Sequence, residues 1–270
     1  MGDTVGGDST TSSQDFPVVI ASVPASKQER WFAFGLIAFV WLAFAMVVPF
    51  AHLPLARIAF VPVLQTVMCI VDLITAVLLF AQYSIVPKRA LLAVACGYLF
   101  SGMFAFLQTL AFPGAYSPSG FIGDGVSTAA WFFVLWHGSF AVSVVVYTLL
   151  KDADDTASVS HVSTATAIAV ALACTFVATA AFTWLVTLGA GYMPAIYVGT
   201  IQQTQFARNL NIFLLSLSIV AFVLLFFRRR TVLDTWLIVI LLASWPNFLV
   251  AIFLPPFGLA WAGTRHALFP

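Results

Sequence analysis

The sequence predicts an all-α integral membrane protein, a bundle of about seven transmembrane helices. Of its 270 residues, 62% are hydrophobic and 8% are charged, and the mean hydropathy is +1.04, whereas soluble domains carry about 25% charged residues. The apolar surplus extends over nearly the whole chain, so a separate soluble domain has no room. We predict a disordered polar tail at residues 1–26, one membrane domain over residues 27–254 and a short tail at residues 255–270.

Seven stretches are long enough to cross the hydrocarbon core of a bilayer, which takes about 20 apolar residues in helical form. They cover residues 31–50, 58–81, 90–112, 128–150, 164–188, 208–227 and 231–254. In the last stretch, Trp245-Pro246-Asn247 is expected to break the helix, because proline removes one hydrogen bond and clashes with the preceding turn. Such a break either lines a cavity or is a passive bend.

The positions of the basic residues predict the orientation, because cytoplasmic loops hold an excess of Lys and Arg. With a cytoplasmic N-terminus, the outer segments hold three basic residues, Arg57, Arg208 and Arg265. The inner segments hold the other eight, Lys27, Arg30, Lys88, Arg89, Lys151, Arg228, Arg229 and Arg230. We therefore predict that the loops at residues 113–127 and 189–206 lie outside.

Composition and motifs argue against several classes of protein. A net charge of +1 and a pI near 7.8 do not fit a nucleic-acid-binding protein. Cys69, Cys96 and Cys174 lie singly in apolar stretches, so neither a disulfide framework nor a zinc site is expected. There is no phosphate-binding glycine loop, nucleophile elbow or HExxH motif. We predict no catalytic residues and no enzymatic activity.

Polar side chains inside the membrane are the candidate functional residues, because they are costly there. Asp72 is expected about 21 Å from the outer end of the second helix, and His137 about 13 Å from the outer end of the fourth. This difference in depth argues against a direct proton relay between them. Asp72 is expected either to hold helices together as a protonated or hydrogen-bonded side chain, or to have a signalling or proton-linked role.

The outer half of the predicted bundle is richer in polar and aromatic side chains, as a small-ligand pocket requires. Together with the deeper Asp72, the candidates are Gln65, Gln108, Trp131, Trp136, His137, Trp245 and Asn247; Asn211 lies at similar depth. The alternative is that the amides connect helices and the tryptophans form an interfacial belt.

His137 is the foremost candidate, because it follows Trp136 directly and could bind a heme, a metal or a proton-linked ligand. A second ligand is missing at Phe140 and Ala141, so we predict neither a metal nor another cofactor. Gly120, Gly123 and Gly125 could allow the preceding loop to form a lid over this region.

The segment from Gln82 to Asp152 contains an ordered series of motifs: Tyr83-Ser84-Ile85, Arg89-Ala90-Leu91-Leu92, Gly97-Tyr98-Leu99-Phe100, Phe112-Pro113-Gly114-Ala115-Tyr116, Trp131, Trp136-His137-Gly138 and Leu150-Lys151-Asp152. In order and spacing it resembles the fourth type of bacterial membrane-associated sensor domain of the MASE series. Such domains are fused to histidine kinases and diguanylate cyclases. The resemblance implies a sensory module in the bacterial inner membrane, with an unknown stimulus and a cytoplasmic output. It also implies a homodimer, or a separate kinase or cyclase as partner.

The topology leaves one expectation about the end of the chain. Seven helices place the C-terminus outside, whereas such a sensor needs it in the cytosol, and Pro255-Pro256 cannot continue the seventh helix. We therefore expect that an eighth helix and the output domain are missing. A small transporter or channel using Asp72 is the alternative function, although one interrupted helix does not make an inverted repeat. A membrane scaffold without a ligand is a third hypothesis.

Overall fold

A computed structural model describes residues 23–47, 60–123, 125–154, 163–198 and 202–253. Within these ranges the chain forms seven long α-helices and one short hairpin. The helices are α1 (Lys27–Val47), α2 (Phe60–Ile85), α3 (Arg89–Ala111), α4 (Val126–Asp154), α5 (Thr164–Thr187), α6 (Gln205–Arg228) and α7 (Val232–Phe253). All seven are long and apolar enough to cross a membrane. The predicted all-α membrane fold is therefore confirmed.

The helices pack around a central antiparallel pair, α3 and α4. On one side α2 lies against α3, and on the other α6 lies against α4, followed by α7 and then α1. Helix α5 packs mainly on α3. The starts of α1, α3, α5 and α7 and the ends of the other helices therefore share one end of the bundle, here named the basic end because Lys27, Arg89, Lys151 and Arg228 lie there.

The central pair approaches closely because small residues face each other. A Cβ atom built on Gly97 of α3 would lie 2.0 Å from Oγ of Ser143 in α4, so only glycine fits. One residue further along, the ring of Tyr98 packs edge-on against Phe140 at a centroid distance of 5.3 Å. These contacts belong to the largest buried apolar cluster, which α2, α6 and α7 complete.

Peripheral helices leave most of their apolar surface exposed. Only Ala33 is buried in the side chains described for α1, and α5 buries only Thr175, Thr179 and Val186. In α2 one narrow stripe faces α3, with Gln65, Cys69, Asp72, Ala76, Leu79 and Tyr83 at helical spacing. Such continuous apolar surface requires a hydrocarbon solvent.

Two connections at the end opposite the basic end have defined structure. The loop between α3 and α4 turns at Gly114, Gly120, Gly123 and Gly125, all with positive φ, a conformation that glycine adopts without strain. A second connection forms a 3₁₀ turn (Ala190–Tyr192) and a hairpin of β1 (Tyr197–Val198) and β2 (Gln202–Gln203).

The lid that the first of these loops could form over His137 stays a prediction, and the glycines of the loop make their contacts near the helix ends. A Cβ on Gly120 would meet the carbonyl of Ala111, and one on Gly123 would meet Thr128. The loop therefore packs on the ends of α3 and α4, whereas His137 lies eleven residues, about 16 Å, along α4 from its first residue.

The predicted helix boundaries agree with the structure to within a few residues. One expectation about the helices is wrong: α7 is not broken at Trp245-Pro246-Asn247 but continues through Pro246 to Phe253. Proline forfeits one hydrogen bond, and the flanking helical turns retain the backbone geometry. The predictions about residues 1–22 and 254–270, including the tail and the end of the chain, lie outside the described residues.

Candidate functional site

Three helices meet at a buried hydrogen-bonded chain, here named the Ser101 bridge. The hydroxyl of Ser101 in α3 donates to Oδ2 of Asp72 in α2. The Ser101 hydroxyl oxygen in turn accepts a hydrogen bond from Nε1 of Trp136 in α4. Asp72 and Ser101 are buried, with 9% and 3% of their surfaces exposed. A serine suits this position because one hydroxyl both donates and accepts.

Close helix packing brings the carboxyl group to the serine. Asp72 lies on the buried stripe that the described side chains of α2 turn towards α3. Beside it, a Cβ on Gly102 would lie 3.3 Å from the Cβ of Asp72. None of the ion pairs among the described residues includes Asp72. Its polar partner inside the membrane is therefore a hydroxyl group rather than a cation.

His137 continues the same region towards α7. Its Nδ1 lies 3.0 Å from the carbonyl oxygen of Phe133, one turn earlier in α4. The ring packs against Phe133 and Trp136, at 4.1 and 4.4 Å between centroids, and edge-on against Phe248 of α7 at 5.2 Å. Adjacent residues of α4 thus contact α3 through Trp136 and α7 through His137.

Asp72 and Trp136 lie at one level of the bundle, contrary to the depth difference expected from the sequence. In the structure α2 begins two residues later and α4 two residues earlier than predicted, which brings the estimated depths of Asp72 and His137 together. Ser101, which the sequence did not single out, then connects the two helices. The one hint in the sequence is that Ser101 lies two helical turns before Gln108, and therefore on the same face of α3.

A second polar layer lies closer to the end of the bundle with the glycine loop. The Thr109 hydroxyl donates to Oε1 of Gln65 over 3.3 Å. Nδ2 of Asn211 donates to the carbonyl of Ala207 at 2.9 Å. Among the described residues, Oε1 of Gln108 and Oδ1 of Asn211 are buried without a hydrogen-bond partner. Such acceptors are the places where a water or a ligand donor would bind.

The remaining candidates lie elsewhere, so the predicted residues do not line one common pocket. Nε1 of Trp131 donates to the carbonyl of Pro194 near the hairpin over 3.3 Å. Nε1 of Trp245 donates to Ser218 of α6 over 3.0 Å. The side chain of Asn247 is exposed. Trp131 and Trp245 therefore hold neighbouring elements together.

A polar cluster at the basic end, which the sequence analysis missed, surrounds Asp234. Its side chain is fully buried and accepts hydrogen bonds from the Tyr147 hydroxyl at 2.7 Å and from Nζ of Lys151 at 2.9 Å. The backbone N–H groups of Arg230 and Thr231 donate to the same carboxylate at 2.6 and 3.0 Å. Lys151 also donates to the carbonyl of Arg228 at 2.5 Å. We name Tyr147, Lys151 and Asp234 the Asp234 cluster; it ties the end of α4 to the turn between α6 and α7.

An apolar groove of about 520 Å³ lies between α3 and α5, with Met103, Phe106, Phe176 and Trp184 among its walls. The hydroxyl of Thr183 there bonds to a carbonyl of α5 itself. The groove could therefore hold an apolar group by its shape, but it presents few polar groups that would recognise a specific ligand. Within the described parts of the chain, no group of three or more His, Cys, Asp or Glu residues could hold a metal ion.

Comparison with known proteins identifies the family. Neither the curated proteins nor the solved structures compared with the chain gave a match. A sequence model of MASE4, described as a membrane-associated sensor, integral membrane domain, matches residues 56–265, which is more than half of the chain and includes α2 to α7. The chain, an integral membrane protein with seven candidate spans, therefore belongs to the MASE4 family of membrane-associated sensor domains.

Proposed function

We propose that the chain is the sensory input module of a bacterial signal-transduction protein, located in the inner membrane with its N-terminus and basic end in the cytosol. The observation that supports this most directly is the Ser101 bridge. It joins α2, α3 and α4 by polar contacts inside the membrane, where such groups are costly and commonly functional. The adjoining contact of His137 with Phe248 extends the connection to α7.

The stimulus would act on the outer half of the bundle. The unpaired acceptors of Gln108 and Asn211 and the ring of His137 are the groups that a ligand or water could engage there. A stimulus shifts the protein between two helix packings only if it favours one of them. A shift of α4 against α3 would break the Trp136–Ser101 bond and change the environment of Asp72.

Helix α4 connects this region to the basic end. Trp136 and Lys151 lie fifteen residues, about 22 Å, apart on one continuous helix. A displacement of α4 at Trp136 would therefore reach the Asp234 cluster and the start of α7. We propose that a histidine kinase or diguanylate cyclase, as a separate partner or as a fused output, reads this change in the cytosol.

A chromosomal Ser101→Ala exchange in the bacterium that encodes the chain tests this proposal. Ser216→Ala is the matched control, because the Ser216 hydroxyl bonds only to the carbonyl of Ile212 in its own helix, at 2.8 Å. The readouts are cellular cyclic di-GMP and the phosphorylation of membrane histidine kinases. We expect deletion of the gene to change one output, Ser101→Ala to change the same output at normal protein level, and Ser216→Ala to leave it unchanged.

One result would overturn the sensory role, and another would overturn only the part assigned to the Ser101 bridge. If deletion alters neither output but lowers the uptake of a solute, the chain is a transporter. If deletion alters an output and Ser101→Ala does not, the sensory role stands but the Ser101 bridge has no part in it. His137→Ala distinguishes the outer region in the same assay, with an unchanged response excluding His137 from sensing.

A further inference from the structure

The basic end displays four cations that form no ion pair among the described residues. Lys27 and Arg30 lie in the first turns of α1, and Arg229 and Arg230 lie in the turn between α6 and α7. All four side chains are exposed. We name these residues the basic surface.

Backbone contacts bring the two halves of the basic surface together. Pro24, just before α1, forms a β-bridge with Thr231, and the N–H of Val232 donates to the carbonyl of Val23 over 2.9 Å. Further along, Phe32 of α1 packs edge-on against Trp236 of α7 at 6.1 Å between centroids. The starts of α1 and α7 therefore lie side by side, which brings the turn that holds Arg229 and Arg230 next to the first turn of α1.

Neighbouring charges are already neutralised, which leaves the basic surface with an excess of positive charge. Arg89 pairs with Asp154 at 2.7 Å, Lys151 with Asp234 at 2.9 Å, and Arg228 with Asp152 at 3.4 Å. In the described first turn of α1, beside these cations, the one acid is Glu29. Its carboxylate accepts a hydrogen bond from the N–H of Ser26 at 2.8 Å, as part of a helix cap.

Aromatic side chains set the basic surface at the level of the lipid headgroups. Trp31 and Phe227 are 76% and 82% exposed; Trp31 directly follows Arg30, and Phe227 lies two residues before Arg229. The guanidinium of Arg229 lies over the ring of Phe226 at 3.9 Å. Tryptophan collects where the acyl chains meet the headgroups, which places Trp31 at that level. The cations thus lie beside apolar surface that fits the first part of an acyl chain.

We propose that the basic surface binds the headgroup phosphate of an anionic phospholipid in the adjacent leaflet. Arginine suits this ligand because its planar guanidinium donates two hydrogen bonds to a phosphate, and two arginines are adjacent here. The acyl chains of the same lipid then lie against Trp31 and Phe227. Binding of this lipid would hold the start of α7, and with it the Asp234 cluster, at a fixed height in the membrane.

Native mass spectrometry of the full chain, released from detergent micelles containing equal amounts of phosphatidylglycerol and phosphatidylethanolamine, tests this site. We expect the unaltered chain to retain phosphatidylglycerol preferentially. Arg229→Gln with Arg230→Gln should weaken this retention by about fivefold for each arginine removed, the effect typical of a basic residue at an anionic membrane surface. Arg208→Gln is the matched control, because Arg208 is equally exposed but lies at the opposite end of the bundle.

Four outcomes would overturn the proposal. The double variant could keep its preference for phosphatidylglycerol, or Arg208→Gln could lose as much of it. Competition by millimolar inorganic phosphate would show that the site recognises free phosphate without a lipid chain. A polyglutamate peptide that binds the unaltered chain but not the double variant, with lipid retention unchanged, would assign the basic surface to a protein partner. Since this assay needs no stimulus, its result is independent of the sensory role.

Discussion

The hydroxyl of Tyr147 in α4 donates a hydrogen bond of 2.7 Å to the carboxylate of Asp234 in α7, and both side chains are buried. Helix α6 packs against both α4 and α7. The Tyr147–Asp234 bond therefore adds a direct polar contact between two helices that are connected mainly through α6. It holds the two helices in a fixed relation at the basic end.

Tyr147→Phe should therefore lower the stability of the protein. The exchange removes one donor from a buried carboxylate at almost constant volume, which typically costs about 1–3 kcal/mol. Thermal unfolding in detergent micelles measures the effect. Tyr116→Phe is the control, since Tyr116 is 61% exposed and lies in the loop at the opposite end. Equal unfolding temperatures for the two variants would show that the bond contributes nothing.

Lys151→Met should be more harmful than Tyr147→Phe. It removes the ammonium partner at 2.9 Å and leaves the buried Asp234 without its counter-charge, and breaking such a pair typically costs about 3–5 kcal/mol. The double variant Lys151→Met with Asp234→Asn should recover part of this loss, because the unpaired charge is then absent. A double variant less stable than the single one would contradict the inference that charge pairing dominates.

Gly97→Ala should separate α3 from α4. The added methyl group would lie 2.0 Å from Oγ and 2.4 Å from Cβ of Ser143, so the central helix pair must move apart. Overpacking of this kind typically costs about 1–3 kcal/mol. Gly35→Ala is the matched control, because no atom lies within 4 Å of the position its Cβ would take. Unfolding in micelles should show a loss for Gly97→Ala only, with partial recovery when Ser143→Gly is added.

Labelling of single cysteines tests the proposed orientation. In a variant whose three native cysteines are replaced by alanine, Tyr116→Cys should react with an impermeant maleimide in intact spheroplasts. Arg229→Cys should react only after the membrane is permeabilised, because the basic end is expected in the cytosol. The opposite pattern would place the N-terminus outside.

The helices could be predicted from the sequence because each is an uninterrupted apolar run whose length alone matches a bilayer. The polar contacts between them could not be predicted in this way. Ser101 is a small hydroxyl residue in a helix, and its role depends on the level at which α2 and α4 meet α3. An error of two residues in the start of each helix was enough to separate Asp72 from the region of Trp136.

The Asp234 cluster was missed for a related reason. Asp234 stands four residues after a run of arginines and resembles an ordinary charged residue at a helix start. Its partners Tyr147 and Lys151 are more than eighty residues earlier in the chain, so only the tertiary packing brings them together. Conversely, Asn247 was a candidate for the interior because of its type and depth, whereas the rotation of α7 leaves it exposed.

The narrow contact stripe of α2 has a mechanical consequence. Asp72 and Gln65 are two turns apart on α2, and their partners Ser101 and Thr109 are spaced to match on the antiparallel α3. Sliding α2 by a single turn, about 5.4 Å, would separate both pairs at once inside the hydrocarbon. The two bonds therefore fix the position of α2 along the membrane normal. If the bilayer thins or thickens, α2 can adapt by tilting but not by sliding along α3.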